Sequence, residues 1–357
     1  MIITRAPFRI SFFGGGTDYP QWYLQHGGAV ISATIDKYCY ISCRYLPPFF
    51  EHRSRIVWSQ IELPMDHAQI KHPAVREALR FTGIQNGVEI HHDGDLPARS
   101  GMGSSSSFTV ALLHALYALK GEMCTKMQLA LDAIHVEQAL MGDTVGSQDQ
   151  TAAAFGGLNR IAFQVNGSVD VHPIVLSHQR MSDFFSHLML VFTGFSRTAS
   201  EIAAMQMEAM PSKTAELTTI CQMVDEAHAI LYGATDLTDF GRLLHESWML
   251  KRSLTSRIST PAIDEIYEAA RAAGALGGKL LGAGGGGFAL FFVRPQDRQR
   301  VIERLAGLMH VPFRPENHGS QIIYYEPSEP AEYAALHEAR NGQLSAPSRA
   351  GQASGSA

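Results

Sequence analysis

Four consecutive serines, Ser104 to Ser107, introduce the stretch that most restricts how this chain can fold. After them Phe108, Leu112, Ala115 and Leu119 recur at helical spacing, while Val110, Leu113 and Leu116 make the remaining faces apolar too. A helix with no polar face must be enclosed on every side, so the pattern predicts a central helix wrapped by other elements. The chain has the material for that: 45% of its 357 residues are hydrophobic and 18% charged, a balance that excludes general disorder. The length favours two fused cores over one.

Strand signals dominate the first half. Ile2 to Phe13 reads as a strand ending in Gly14, Gly15 and Gly16; Ala29 to Ile35, Tyr38 to Tyr45, Arg55 to Ser59 and Val88 to Ile90 follow. A second helix is predicted from about Lys126 to Met141, and Leu188 to Phe192 reads as a buried strand. The second half turns helical, over Thr214 to Tyr232, Thr238 to Leu250 and Pro261 to Ala273. Gly282 to Gly287, expected to follow a helix, runs into the core strand Phe288 to Val293, and Gln321 to Tyr325 is the last predicted strand. This irregular order implies an α+β fold, not a doubly wound sheet. Beyond Asn341 the chain lacks large apolar residues and is expected to be a disordered tail, 341–357.

A formal net charge of −5 offers no basic field for nucleic acid or an anionic membrane. Arg5 and Arg9 occupy the place of a signal peptide's apolar region, and no run of about 18 apolar residues occurs, so a cytoplasmic location is expected. Cys39, Cys43, Cys124 and Cys221 show no metal or disulfide spacing and read as reduced thiols.

The strongest chemical signal is Pro97-Ala98-Arg99-Ser100-Gly101-Met102-Gly103-Ser104-Ser105-Ser106-Ser107. Glycines and hydroxyls before a buried helix leave unpaired amides and the positive end of its dipole free for an anion. Serine hydroxyls also suit Mg²⁺. A helix cap would need one serine; four after Gly-x-Gly favour a phosphate loop. No Lys-Ser or Lys-Thr follows the glycines, which argues against a Walker A loop, and HRD and DFG are absent. The GxGxxG match in Gly282 to Gly287 stands before a strand, the wrong order for a dinucleotide fold.

Two carboxylates are candidates for chemistry. Glu137 falls on the apolar stripe of Met127, Ala130, Ile134 and Met141, where a buried charge would need a cation; a partly exposed helix-edge glutamate is the alternative. Asp149 lies in a polar knot, Gly146 to Thr151, as either a helix cap or a group facing an acceptor hydroxyl.

Three segments, Ala6 to Tyr19, Leu96 to Ser107 and Lys279 to Phe292, together resemble the GHMP kinase superfamily in order and approximate spacing. The middle one resembles the family's Pro-x-x-x-Gly-Leu-Gly-Ser-Ser-Ala loop, with Met102 for Leu and Ser106 for Ala. Within the superfamily the chain resembles bacterial D-glycero-D-manno-heptose 7-phosphate kinases, through Pro7 to Asp18, Leu244 to Leu254 and Gly277 to Phe288. The resemblance implies an N-terminal domain like ribosomal protein S5 over 1–180 and a ferredoxin-like domain over 181–340, with the active site between them. It implies an ATP- and Mg²⁺-dependent kinase that phosphorylates the anomeric hydroxyl of a heptose 7-phosphate for surface polysaccharide synthesis; the sequence leaves a homodimer open.

By position, the resemblance makes Asp149 and Arg9 the catalytic pair. It assigns Pro97, Arg99, Gly101, Met102, Gly103, Ser104, Ser105 and Ser106 to ATP, and Ser105 and Glu137 to Mg²⁺. The acceptor falls to Gly14, Gly15, Gly16, Thr17 and Asp18, with Thr193, Gly194, Arg197, Gly284 and Gly285. Galactokinases carry Glu-His at Gly15-Gly16, which disfavours galactose and leaves room for a larger sugar. A 7-phosphate needs a second anion site, for which Arg197, Lys251, Arg252 and Arg257 are candidates. Two other readings remain open: a kinase for fucose, arabinose or a uronic acid, and a regulator that binds nucleotide or sugar without catalysis.

Overall fold

The computed structural model describes residues 1–47, 49–98, 100–194, 199–233 and 235–327. Arg99, Arg197 and the tail 341–357 lie outside them. Strand β1 (Ile2–Phe13) leads through helix α1 (Pro20–His26) into β2 (Gly28–Tyr45). Two strands were expected there; β2 is continuous because its pairing with β1 absorbs Asp36 and Lys37 by a register shift between Pro7 and Arg9. Then come β3 (Arg55–Val57), β4 (Ile61–Glu62), α2 (Pro73–Thr82), β5 (Val88–Gly94), α3 (Ser104–Leu119), α4 (Lys126–His135), α5 (Gln148–Phe155), β6 (Leu158–Phe163) and β7 (Val169–Pro173).

The second half holds α6 (His178–Ser186), β8 (Leu188–Gly194), α7 (Ala199–Ala209), α8 (Thr214–Tyr232), α9 (Thr238–Leu254), α10 (Pro261–Ala272), β9 (Ala275–Leu280) and β10 (Gly287–Val293). The chain ends its described course with α11 (Arg298–Arg304), β11 (Met309–Val311), β12 (Pro315–Glu316) and β13 (Gln321–Tyr325). The first sheet has the order β13-β1-β2-β5-β3-β4, with β12 and β6 on β2 and β7 on β6; the second is β11-β8-β10-β9. Among the described residues no helix is long and apolar enough to cross a membrane.

Helix α3 is the hub that its sequence predicts. It packs on β1 and β2 and is flanked by α2, α4 and α5, with Val110, Ala111, Leu112, Leu113, Ala115 and Leu116 fully buried. An aromatic cluster joins the two sheets: Phe12 of β1 meets Phe184 and Phe240 edge-on, at 5.4 and 5.7 Å between ring centroids, and Phe240 packs on Phe292 of β10. That junction fixes the end of β1 against α9 and β10, which matters for the site.

Two expectations are corrected. The run Gly282 to Gly286 follows strand β9, not a helix, and links the antiparallel pair β9–β10. β9 escapes propensity because it contains Gly277 and Gly278; a Cβ on Gly277 would stand 1.9 Å from the Gly241 carbonyl oxygen of α9, so close helix–strand packing demands glycine. The predicted helix from Lys126 to Met141 is α-helical only to His135, and a π-helical turn covers Val136–Leu140. Such turns cluster at functional sites, and this one carries Glu137.

Candidate active site

The phosphate loop is shaped by two glycines in the left-handed region, Gly101 at φ +80° and Gly103 at φ +75°. Gly103 caps α3 and no side-chain oxygen performs that task. Ser106 donates to Glu137 at 2.8 Å, Ser107 donates to the Pro7 carbonyl at 2.9 Å, and Ser105 is exposed. Ser104 begins the helix, and its first-turn amides point out of it. Ser100 ties the loop to the Pro97 carbonyl at 2.6 Å, and buried Met102 accepts from the Arg9 amide.

Glu137 is fully buried. Its Oε2 accepts from Ser106 and from Gln150, while Oε1 has no partner among the described residues. Burial pushes its carboxyl up to about 7, against the nearby Thr109 hydroxyl, which itself donates to the Ser105 carbonyl at 3.2 Å, and the hydrogen bonds from Ser106 and Gln150. An orphaned carboxylate oxygen beside the amino end of α3 suits a hard cation. Among the described residues no three acidic, His or Cys side chains gather, so such a cation would draw its other ligands from hydroxyls, water and phosphate, as Mg²⁺ does.

Arg9, only 4% exposed, grips Asp149 with two hydrogen bonds, Nε to Oδ1 at 2.6 Å and Nη2 to Oδ2 at 2.5 Å, and donates through Nη1 to the Gly101 carbonyl at 2.7 Å. A Cβ on Gly103 would lie 3.2 Å from Asp149 Oδ2, so loop and carboxylate touch. The sequence left Asp149 between cap and chemistry. The structure puts it in the first turn of α5, behind the cap residue Ser147 and facing Arg9.

Behind this pair sit Asp18, Lys251 and Lys279, all buried. Asp18 Oδ1 accepts from the Gly16 amide at 2.9 Å; burial raises its carboxyl, and the Asp149 charge adds to that. Lys251 donates to the Gly282 carbonyl at 2.6 Å; burial lowers its ammonium to about 8, Arg9 adds to that, and Asp18 and Asp149 oppose it. Lys279 donates to the Phe12 carbonyl at 3.0 Å; burial, then Lys251 and Arg9, hold it well below the ordinary lysine value.

The glycine turn before Asp18 has mixed causes. A Cβ on Gly14 would stand 1.9 Å from the Ala29 carbonyl oxygen, and Gly16, at φ +109°, abuts Leu217; of the three, Gly15 alone has room. Buried Thr17 donates to the Gly14 carbonyl and accepts from the Ala29 amide, locking the turn. Thr193, Gly194, Gly284 and Gly285 have partners within the chain. Thr193 donates to the Gly287 carbonyl, Gly194 pairs with Gly287, and Gly284 and Gly285 pack on the Ile258 carbonyl. Arg99 and Arg197 fall outside the described residues.

Sequence reasoning met Lys279 only as the first residue of the third family-like segment. It weighed Lys251 as a second-anion candidate and missed that both lysines are buried, Lys251 on the Gly282 carbonyl and Lys279 on the Phe12 carbonyl. A signal existed for Lys251, which shares the α9 stripe of Leu244, Ser247, Trp248 and Leu254, where a lysine has no solvent.

Residues 69–157 match the N-terminal domain of GHMP kinases and residues 223–310 their C-terminal domain. A D-glycero-alpha-D-manno-heptose 7-phosphate kinase of Campylobacter jejuni is 28% identical over 327 residues, covering 85% of this chain and 93% of that protein. A bifunctional fucokinase/GDP-fucose pyrophosphorylase of Arabidopsis thaliana is 24% identical over 84% of this chain but 30% of its own length. The crystal structure of a D-glycero-D-manno-heptose 1-phosphate kinase from Bacteroides thetaiotaomicron superposes with a TM-score of 0.69 over 91% of this chain and 100% of the other, at 24% identity, a likeness of fold.

Proposed function

The chain belongs to the GHMP kinase family, and from that premise we propose that it transfers the γ-phosphoryl group of ATP to the anomeric hydroxyl of D-glycero-D-manno-heptose 7-phosphate. The observation that carries the reading is the Arg9–Asp149 pair set against the glycine loop at the amino end of α3. The 28% identity to a heptose 7-phosphate kinase supports the acceptor.

In this reading the amides of Gly103 to Ser106 and the α3 dipole hold the triphosphate. The acceptor oxygen attacks the γ-phosphorus in line, its O–H bond breaks, and the bond to the bridging oxygen of ADP breaks on the far side. Asp149, fixed by Arg9, orients that hydroxyl and accepts its hydrogen; Arg9 offsets charge developing at the phosphoryl group. Glu137 Oε1 and the Ser105 hydroxyl would hold Mg²⁺, with Ser106 tying down the other Glu137 oxygen. When bound, the ion neutralises phosphate charge and fixes the phosphate geometry. Asp18 accepts from a sugar hydroxyl.

The experiment is ADP release coupled to a dye, with heptose 7-phosphate, the unphosphorylated heptose, fucose, arabinose and glucuronate as acceptors. Heptose 7-phosphate should give the highest kcat/KM. Efficient turnover of an unphosphorylated sugar with the heptose phosphate inert would overturn the substrate assignment, and ADP release with none of them would overturn the kinase reading.

A further inference from the structure

Two carboxylates of the site lie against glycines, for different reasons. A Cβ on Gly103 would crowd Asp149, but Gly103 also has a left-handed φ that favours glycine on its own account. Gly146 lies outside that region, so its φ does not call for glycine. Contact reserves the position instead. The three atoms nearest to a Cβ built on Gly146 all belong to the Asp18 carboxylate, with Oδ2 at 1.9 Å, Cγ at 2.6 Å and Oδ1 at 3.2 Å.

The backbone on both sides of this contact is held. The Ser147 amide donates to the Asp18 carbonyl at 2.8 Å, Gln138 donates to the Ser147 hydroxyl at 3.1 Å, and Thr151 donates to the Ser147 carbonyl at 2.7 Å. Across from it, Thr17 is bonded to Gly14 and Ala29, and Asp18 Oδ1 accepts from the Gly16 amide at 2.9 Å. A methyl on Gly146 would therefore displace the carboxylate, which can rotate, and would take Oδ1 off the Gly16 amide. Asp18 is 5% exposed, and no side chain among the described residues donates to either of its oxygens. A backbone amide on one edge and the bare face of Gly146 on the other set its place, and lone pairs remain for a hydroxyl donor.

We propose that Gly146 is a positioning residue for the acceptor: its missing side chain lets the Asp18 carboxylate stand where a sugar hydroxyl can donate to it. This rests on the kinase reading above and deepens it, because the segment that shapes the acceptor corner runs directly into α5 and Asp149. Asp149 is itself secured by Arg9, so a change at Gly146 reaches acceptor binding before it reaches turnover.

Gly146→Ala, Asp18→Ala and the double variant are compared by steady-state kinetics with the best acceptor of the panel above, and by binding of adenylyl imidodiphosphate. Gly146→Ala should raise the acceptor KM roughly 20-fold, with kcat within about threefold and the nucleotide Kd within about twofold of wild type. Asp18→Ala removes all three atoms that the methyl would meet, so in that background Gly146→Ala should change the acceptor KM by less than about twofold. Three results overturn the proposal: an unchanged acceptor KM in Gly146→Ala, a nucleotide Kd that weakens in parallel, or an equal loss in both backgrounds. The last would make Gly146 a requirement of the backbone alone.

Should Gly146→Ala fail to fold, the double variant, relieved of the clash, should still fold, and Asp18→Ala alone then reports the acceptor role through a KM raised by a similar factor. Failure of both Gly146→Ala proteins to fold, or an Asp18→Ala enzyme with the wild-type acceptor KM, overturns the assignment. A wild type that turns over no sugar removes the kinase reading and this step with it, whereas an active one indifferent to Gly146 removes only this step.

Discussion

Asp149 and Glu137 approach the amino end of α3 from α5 and from the π-helical turn, and their environments diverge. Asp149 has both oxygens on Arg9, whereas Glu137 keeps Oε2 on Ser106 and Gln150 and leaves Oε1 unpartnered. A carboxylate whose charge is balanced inside the protein is held still, which suits it to orient a reacting hydroxyl. One that is buried and incomplete is poised for an external cation. The same residue chemistry thus yields two roles through partner count, and each role can be broken separately.

The largest effect should come from the closed pair. Asp149→Asn keeps a side chain that can still meet Arg9 but removes the carboxylate, and kcat should fall about 10³-fold, roughly 4 kcal/mol of barrier. Binding of adenylyl imidodiphosphate should survive, because the loop amides are untouched. Asp149→Ala is the harsher variant, since it strands a buried guanidinium and adds a folding defect. A fully active Asp149→Asn enzyme would erase the distinction between the two corners.

The incomplete corner should show itself in stability before it shows in rate. Glu137 has a folded-state pKa near 7 against an unfolded value of 4.5, so the folded protein holds the proton more tightly. Stability contributed by this group is therefore present at low pH and lost as pH rises from about 4.5 to 7, by up to about 3 kcal/mol. Asp18, raised in the same direction, adds to the slope, so the informative quantity is the difference between wild type and Glu137→Gln. In thermal melts without metal, the wild-type Tm should fall more steeply over this range than that of Glu137→Gln. At pH 7.5, Mg²⁺ with nucleotide should raise the wild-type Tm and do so much less in the variant. Parallel pH profiles would show that Oε1 is no socket.

What the sequence disclosed about these corners follows from the range of each interaction. The enclosed α3, its serine loop and the burial of Glu137 are local or periodic, so spacing along one helix revealed them. The Arg9–Asp149 pair joins residues 140 apart, and only family resemblance brought them together before the structure did. Strand β9 was missed because its glycines, selected by contact with α9, erase the propensity that marks a strand. Lys279 was missed for a related reason: its partner Phe12 lies 267 residues away, across the aromatic junction of the two sheets. The identity of the loop serine that meets Glu137 depends on the azimuth of α3 relative to the π-turn, which no single-helix pattern contains.

That azimuth sets the smallest of the predicted effects. Ser105 and Ser106 are neighbours on α3, 100° apart in projection, so one hydroxyl faces Glu137 while the other stays open to solvent. If Oε1 receives the ion, Ser105 supplies a ligand oxygen and Ser106 only steadies Oε2. Ser105→Ala should then raise the Mg²⁺ concentration for half-maximal rate about tenfold, as expected for one lost oxygen ligand replaced by water. Ser106→Ala should cost only a few-fold, and part of that as stability, because Oε2 keeps Gln150 and the lost bond is neutral-to-carboxylate. Titrating Mg²⁺ at saturating ATP and acceptor separates the two variants. A reversed order would move the ion to the Ser106 side of the carboxylate, whereas equal and negligible effects would leave phosphate oxygens and water as its only partners besides Glu137.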